Sequence, residues 1–253
     1  PLYSSAASDV YKRQDLPDLR AKGCERMSGL DWTEELKKRT GIDFLTTRPM
    51  EIEKKSFEII KGELGDEFVS SYPAEALPVL CRVIHTTADF SYRDTLTITD
   101  GAVEKAKEAI RRGLPIITDT TMAASGINKT AAGKFGIEVH CFIGDEDVKV
   151  KAKESGMTRS AVSAEKAARL YPECIYAVGN APTALMRLYE LIEEKKIRPA
   201  LVIGVPVGFV NVVEAKELIL RTDVPAIVAR GRKGGSNIAA AICNALLYEA
   251  GGR

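Results

Sequence analysis

The sequence predicts an α/β protein: a flavodoxin-like, doubly wound, mainly parallel five-stranded sheet with helices on both faces. Two observations carry this. Short continuous apolar runs recur along the chain, and longer amphipathic segments alternate with them. A strand of a parallel sheet covered on both faces can be apolar throughout, whereas the covering helices keep only one apolar stripe. A third observation concerns function: the loops that follow those runs are unusually polar or glycine-rich. They are the loops from which such sheets build their binding sites.

The regular part of the chain begins at Pro49. Residues 1–26 lack a sustained period and read as a disordered lead or a non-native extension, with Met27 as the expected true start. A short helix is expected over residues 30–39, and Thr46-Thr47-Arg48-Pro49 breaks it. Residues 1–48 are therefore expected to be an amino-terminal extension and residues 49–253 a single domain. Pro49 sits where a first helical turn tolerates it, and Ile52, Phe57, Ile59, Ile60 and Leu64 give that helix an apolar face ending near Gly65. A second helix spans residues 74–86, with Pro78 the one residue against it.

Alternation follows. Asp100-Gly101 opens a helix through Arg112, and Gly113 stops it ahead of the first strand, residues 115–118. Residues 139–143, 174–178, 200–205 and 225–229 make the other four strands. Helices are expected over residues 145–154, 159–170, 182–195, 212–220 and 236–248.

Composition narrows the function. Lys and Arg number 36 against 35 Asp and Glu, a net charge of +1, so no global field invites nucleic acid or an anionic membrane. The longest apolar run, residues 200–213, is broken by Gly204, Pro206, Gly208 and Asn211 and does not suit a bilayer span. Five cysteines stand apart, without metal-ligand spacing, and read as reduced thiols of a cytoplasmic protein with no metal site. No export leader is recognisable at the start.

The chain has two histidines. His140 lies in an apolar run beside Cys141 and Phe142 and is expected to be buried, hydrogen-bonded and structural. His85 differs. It ends an apolar helical pattern and enters the polar cluster Thr86-Thr87-Ala88-Asp89, where an imidazole could act as a proton donor at the carboxyl edge of the sheet or merely cap its own helix.

The loops after the strands supply the remaining candidates. They are Asp119-Thr120-Thr121, Thr158-Arg159-Ser160, Gly179-Asn180-Ala181-Pro182-Thr183, Pro206-Val207-Gly208-Phe209 and Arg230-Gly231-Arg232-Lys233-Gly234-Gly235-Ser236. Asn180 and Thr158 could equally be helix caps. The last loop could bind an anion through its cations and N–H groups, or simply be solvated. No nucleotide-binding glycine motif and no nucleophile elbow occurs. One acid/base, several anion-binding donors and no evident nucleophile fit an isomerase or a binding protein for a polyanion better than a hydrolase.

Seven motifs in order resemble the precorrin-8X methylmutase family, also called cobalt-precorrin-8 methylmutases, over residues 49–250. They are Lys54-Lys55-Ser56-Phe57, the stretch from Arg82 through His85 to Phe90, Thr118-Asp119-Thr120 and Thr158-Arg159-Ser160. Gly179 through Leu185, Gly204 through Val210 and Gly231 through Ser236 complete the set. The resemblance implies a cytoplasmic homodimer in cobalamin biosynthesis that takes a tetrapyrrole substrate to a tetrapyrrole product, without cofactor. A methyl group moves from C-11 to C-12 of the ring, giving hydrogenobyrinate or cobyrinate.

His85 matches the family's catalytic histidine, as general acid. Ser56, Arg82, Thr120, Thr158, Arg159, Ser160, Asn180, Thr183, Gly208 and Arg230 are the implied substrate-binding positions. Lys55 stands where the family often has Arg or Glu, and an ammonium cannot make a bidentate carboxylate contact. Residues 86–90 look more like the cobalt-dependent branch. A corrinoid carrier, the rival from another class, would show Asp-x-His-x-x-Gly, but Val83 and Ala88 stand at those places around His85.

Overall fold

Where the strands lie decides where the loops emerge. The computed structural model of this chain describes residues 32–252, so the expected lead over residues 1–26 and Cys24 lie outside the described residues. Contacts divide the described residues into two units, one ending at Lys55 and the other beginning at Ser56. The described part of the first holds α1 (Thr33–Thr40), which ends on Gly41 in the left-handed conformation, and the beginning of α2 (Pro49–Leu64).

The second unit contains the rest of α2, then α3 (Asp66–Ser71), α4 (Leu77–Thr87), α5 (Tyr92–Thr95), β1 (Leu96–Ile98), α6 (Ala102–Arg111) and β2 (Ile116–Thr118). It continues through α7 (Thr121–Gly126), α8 (Lys129–Gly133), β3 (Val139–His140), α9 (Glu146–Ser155), α10 (Arg159–Leu170) and β4 (Ile175–Val178). The last elements are α11 (Pro182–Glu193), β5 (Leu201–Gly204), α12 (Val212–Leu220), β6 (Ala226–Ala229) and α13 (Ser236–Ala250). Pro78 is no obstacle to α4, because it falls in the first turn, where its missing N–H has no partner to lose.

The strand order is β1-β6-β5-β4-β2-β3. All five expected strands are present as β2 to β6 and pair in parallel. Taken alone and counted in chain order, they run 2-1-3-4-5, the flavodoxin order. Among the described residues the sheet has six strands, not five. The sixth, β1, pairs antiparallel with β6 at the edge, Leu96 facing Ala229 and Ile98 facing Ile227. Its three residues carry too little pattern to announce themselves, and pairing with β6 is what makes them a strand.

Side chains alternate across the sheet. Ile116, Ile175, Ala177, Leu201, Ile203, Ile227 and Ala229 face a core shared with α4, α6 and α13. Ile117, Tyr176, Val178, Val202, Ala226 and Val228 face a second core under α10, α11 and α12. Both faces are thus closed with apolar side chains, and the loops at the strands' carboxyl ends are where such a sheet binds its ligands. Among the described residues no helix is long and apolar enough to cross a membrane.

Candidate active site at the carboxyl rim of the sheet

In the 2-1-3-4-5 order the chain leaves β2 and β4, which are neighbours, toward opposite faces, and a crevice opens between their carboxyl ends. A cavity of about 410 Å³ lies there, lined by Asp119, Thr120, Thr121, Ile143, Thr158, Arg159, Ser160 and Asn180. Five sequence-predicted positions, from three separate loops, therefore share one cavity. A larger cavity of about 1070 Å³ sits at the opposite rim, by the amino ends of β4, β5 and β6. Charges of both signs line it, Arg112 is already paired with Glu173, and it contains none of the predicted residues.

Local hydrogen bonds fix the crevice. Thr158 caps α10 by accepting from the Ala161 N–H, and its hydroxyl meets that of Thr183 at 2.8 Å. Thr120 caps α7 in the same manner and lies 2.8 Å from the hydroxyl of Ser236 at the start of α13. Gly179 is required by close approach: a Cβ there would stand 2.6 Å from the Ser236 backbone. Arg159, in the first turn of α10, is exposed and, among the described residues, pairs with no carboxylate. A free guanidinium and hydroxyls at a helix amino terminus form a seat for a carboxylate.

His85 does not line the cavity. It occupies the last turn of α4, exposed, with its ring edge-on to Phe57 at 5.4 Å between centroids. The turn that follows it is tied down. Ala88 ends the helix at φ 51°, and the Lys233 ammonium reaches Asp89 at 2.6 Å and Ser91 at 2.9 Å. Lys233 with Ser91 holds the Asp89 carboxyl down to about 2. Since Lys233 belongs to the loop after β6, the end of α4 lies against the carboxyl rim.

The other predicted positions are placed differently. Arg82 has its guanidinium over the rings of Phe57, at 4.7 Å, and Tyr248, at 5.3 Å. Ser56 is half-buried in α2 beside Phe57. Arg230 is held bidentately by Glu217, at 2.8 and 2.6 Å, away from the cavity lining. Gly208 has φ 154° in a loop whose tip exposes Phe209 and Val210. Lys55 donates to the Leu45 carbonyl. His140 is not sealed in the core as expected. Because β3 is an edge strand, its imidazole is partly open, stacked on Phe142 and Tyr171 and 3.0 Å from the Glu138 carboxylate.

Two residues that matter for this geometry were not among the sequence candidates. Phe57 touches both Arg82 and His85. Lys216, fully buried on α12, donates to the carbonyls of Gly231 and Lys233, each at 2.8 Å, and so fixes the loop that holds Asp89. Burial lowers its ammonium from 10.5 to about 8. Between those two values the unfolded chain keeps a proton that the folded chain has released, so stability rises with pH across that window. Lys216→Met is expected to lack this rise. Thermal midpoints from pH 7 to 10.5 should show the wild type gaining on the variant as pH increases. A constant difference would contradict it.

Comparison with known proteins agrees with this architecture. The profile of the family described as precorrin-8X methylmutase matches residues 51–249. A cobalt-precorrin-8 methylmutase of Leptospira interrogans is 43% identical over 211 residues, covering 80% of this chain and 94% of that protein. One from Salmonella typhimurium is 44% identical over 206 residues, covering 80% and 96%. A crystal structure of the precorrin-8x methyl mutase from Thermus thermophilus superposes with a TM-score of 0.72 at 39% identity, covering 79% of this chain and 98% of that one.

Proposed function

The chain belongs to the precorrin-8X methylmutase family, and from that premise we propose that it moves a methyl group from C-11 to C-12 of precorrin-8X or cobalt-precorrin-8, with His85 as general acid. The observation that carries this reading is the cavity between β2 and β4, where hydroxyls, an amide and a guanidinium unpaired among the described residues converge from three loops. Such a lining suits the carboxylate arms of one edge of a tetrapyrrole, while the ring extends over the rim toward α4. The reaction breaks the methyl bond to C-11 and forms one to C-12 with no net oxidation or reduction. The protein's part is then to hold the ring still and polarise its π-system.

His85 does the second by donating a proton or hydrogen bond to a ring nitrogen. A positioned acid of this kind contributes ~10²–10⁴-fold. Arg159, Thr158, Ser160, Asn180 and Thr120 bind carboxylates, and Thr183 supports them through Thr158. Ser56 and Arg82 act beside Phe57, Gly208 on the adjoining loop, and Arg230 where its pair with Glu217 opens. A homodimer, a cytoplasmic location, and a methylmutase domain over residues 49–253 complete the proposal.

Incubation of the purified protein with cobalt-precorrin-8, followed by visible spectroscopy and product analysis, tests it. Conversion to cobyrinate is the expected result. Binding without conversion would instead indicate a carrier.

A further inference from the structure

One carboxylate organises the cavity from beneath. Asp119, the first residue after β2, is 5% exposed and has no cationic partner among the described residues. Its Oδ1 accepts the Gly179 N–H at 2.9 Å, and its Oδ2 accepts those of Asn180 and Ala181, both at 2.8 Å. Three successive amides of the loop after β4 thus converge on a side chain from the loop after β2, across the crevice itself. Burial raises this carboxyl above the usual carboxylate range, and the three N–H groups oppose that. Nothing in sheet pairing requires such an anion; Val178 and Gly204 already complete the β4–β5 ladder.

We propose that Asp119 is the positioning residue of the substrate cavity. It holds the Gly179–Ala181 turn so that the Asn180 side chain faces bound tetrapyrrole carboxylate. Through the start of α11 it also sets Thr183, whose hydroxyl meets Thr158 at the cap of α10, the helix that carries Arg159. One buried anion, its oxygens engaged by three backbone N–H groups, therefore orders groups on two loops and a helix terminus. The inference rests on the reading of the cavity given above.

The test is titration with cobyrinate, followed by visible absorbance, of the wild type, Asp119→Asn, Asn180→Ala and the double variant. The amide keeps the shape but offers one N–H₂ group where an acceptor is needed, so at least one backbone N–H loses its partner. Asp119→Asn is expected to bind about tenfold more weakly or worse, a loss of one to two hydrogen bonds' worth of order. The double variant should bind no more weakly than the poorer single variant, because both act on the same contact. In turnover, KM should rise by more than kcat falls.

A purely structural aspartate would lower the melting temperature and leave cobyrinate affinity per folded molecule unchanged, which would overturn the proposal. So would multiplicative losses in the double variant. Should the amide variant not fold, Asp119→Glu, which keeps both oxygens but shifts them by a methylene, reads the same affinity. Failure of the wild type itself to bind cobyrinate would overturn the reading of the cavity and this inference with it, a result distinct from the others.

Discussion

His85→Ala is expected to bind cobyrinate nearly as the wild type does while losing turnover by ~10²–10⁴-fold, roughly 3–5 kcal/mol of barrier. The reasons are geometric. His85 lies outside the lining of the carboxylate cavity, so its removal leaves that binding surface whole. It is exposed, and the edge contact with Phe57 is its one ring contact among the described residues, so truncation opens no core. The expected signature is a fall in kcat with KM little changed, as for a group whose interaction is made in the transition state. His85→Gln, which can still donate a hydrogen bond but cannot transfer a proton, should separate polarisation from protonation. Near-normal turnover of the alanine variant would remove His85 from the reaction.

Arg159→Ala carries the second large effect, and on the other kinetic constant. Its guanidinium is unpaired among the described residues and stands in the first turn of α10, where the helix dipole already favours an anion. Loss of a charge-assisted, bidentate contact to a substrate carboxylate should weaken cobyrinate binding by ~10–100-fold. Arg159→Lys should recover only part of it, because an ammonium cannot present the planar fork. The helix should remain, since its cap is Thr158, whose hydroxyl accepts from Ala161. Unchanged affinity in Arg159→Ala would take this residue out of the site.

The elements that could be read in the sequence are those whose burial leaves a local mark. Helices α10 and α12 have the expected bounds, because each carries an apolar stripe and an abrupt start and stop. The five parallel strands were legible as apolar runs for the same reason. β1 was not: Leu96, Thr97 and Ile98 become a strand only against β6, more than a hundred residues later. The cavity was legible as a set of polar loops, since a doubly wound sheet brings those loops together wherever they fall in the chain.

What could not be read is which charges are already engaged. Arg230 is taken by Glu217, and Lys233 by Asp89. The loop that looked like an anion site thus spends two of its cations inside the protein, on partners 13 and 144 residues away. Lys216 left no mark in the sequence, and Asp119 was legible only as a member of a polar loop, for the converse reason. Their partners are backbone groups, which leave no trace in a side-chain pattern.

For the proposed reaction a single ligand must reach both the β2–β4 crevice and the imidazole at the end of α4. A crystal structure with cobyrinate bound tests this most directly. The predicted result has cobyrinate carboxylates on Arg159, Ser160 and Asn180 and the His85 ring within hydrogen-bonding distance, about 3 Å, of a ring atom. A macrocycle seated elsewhere, with the His85 imidazole facing only solvent, would contradict it.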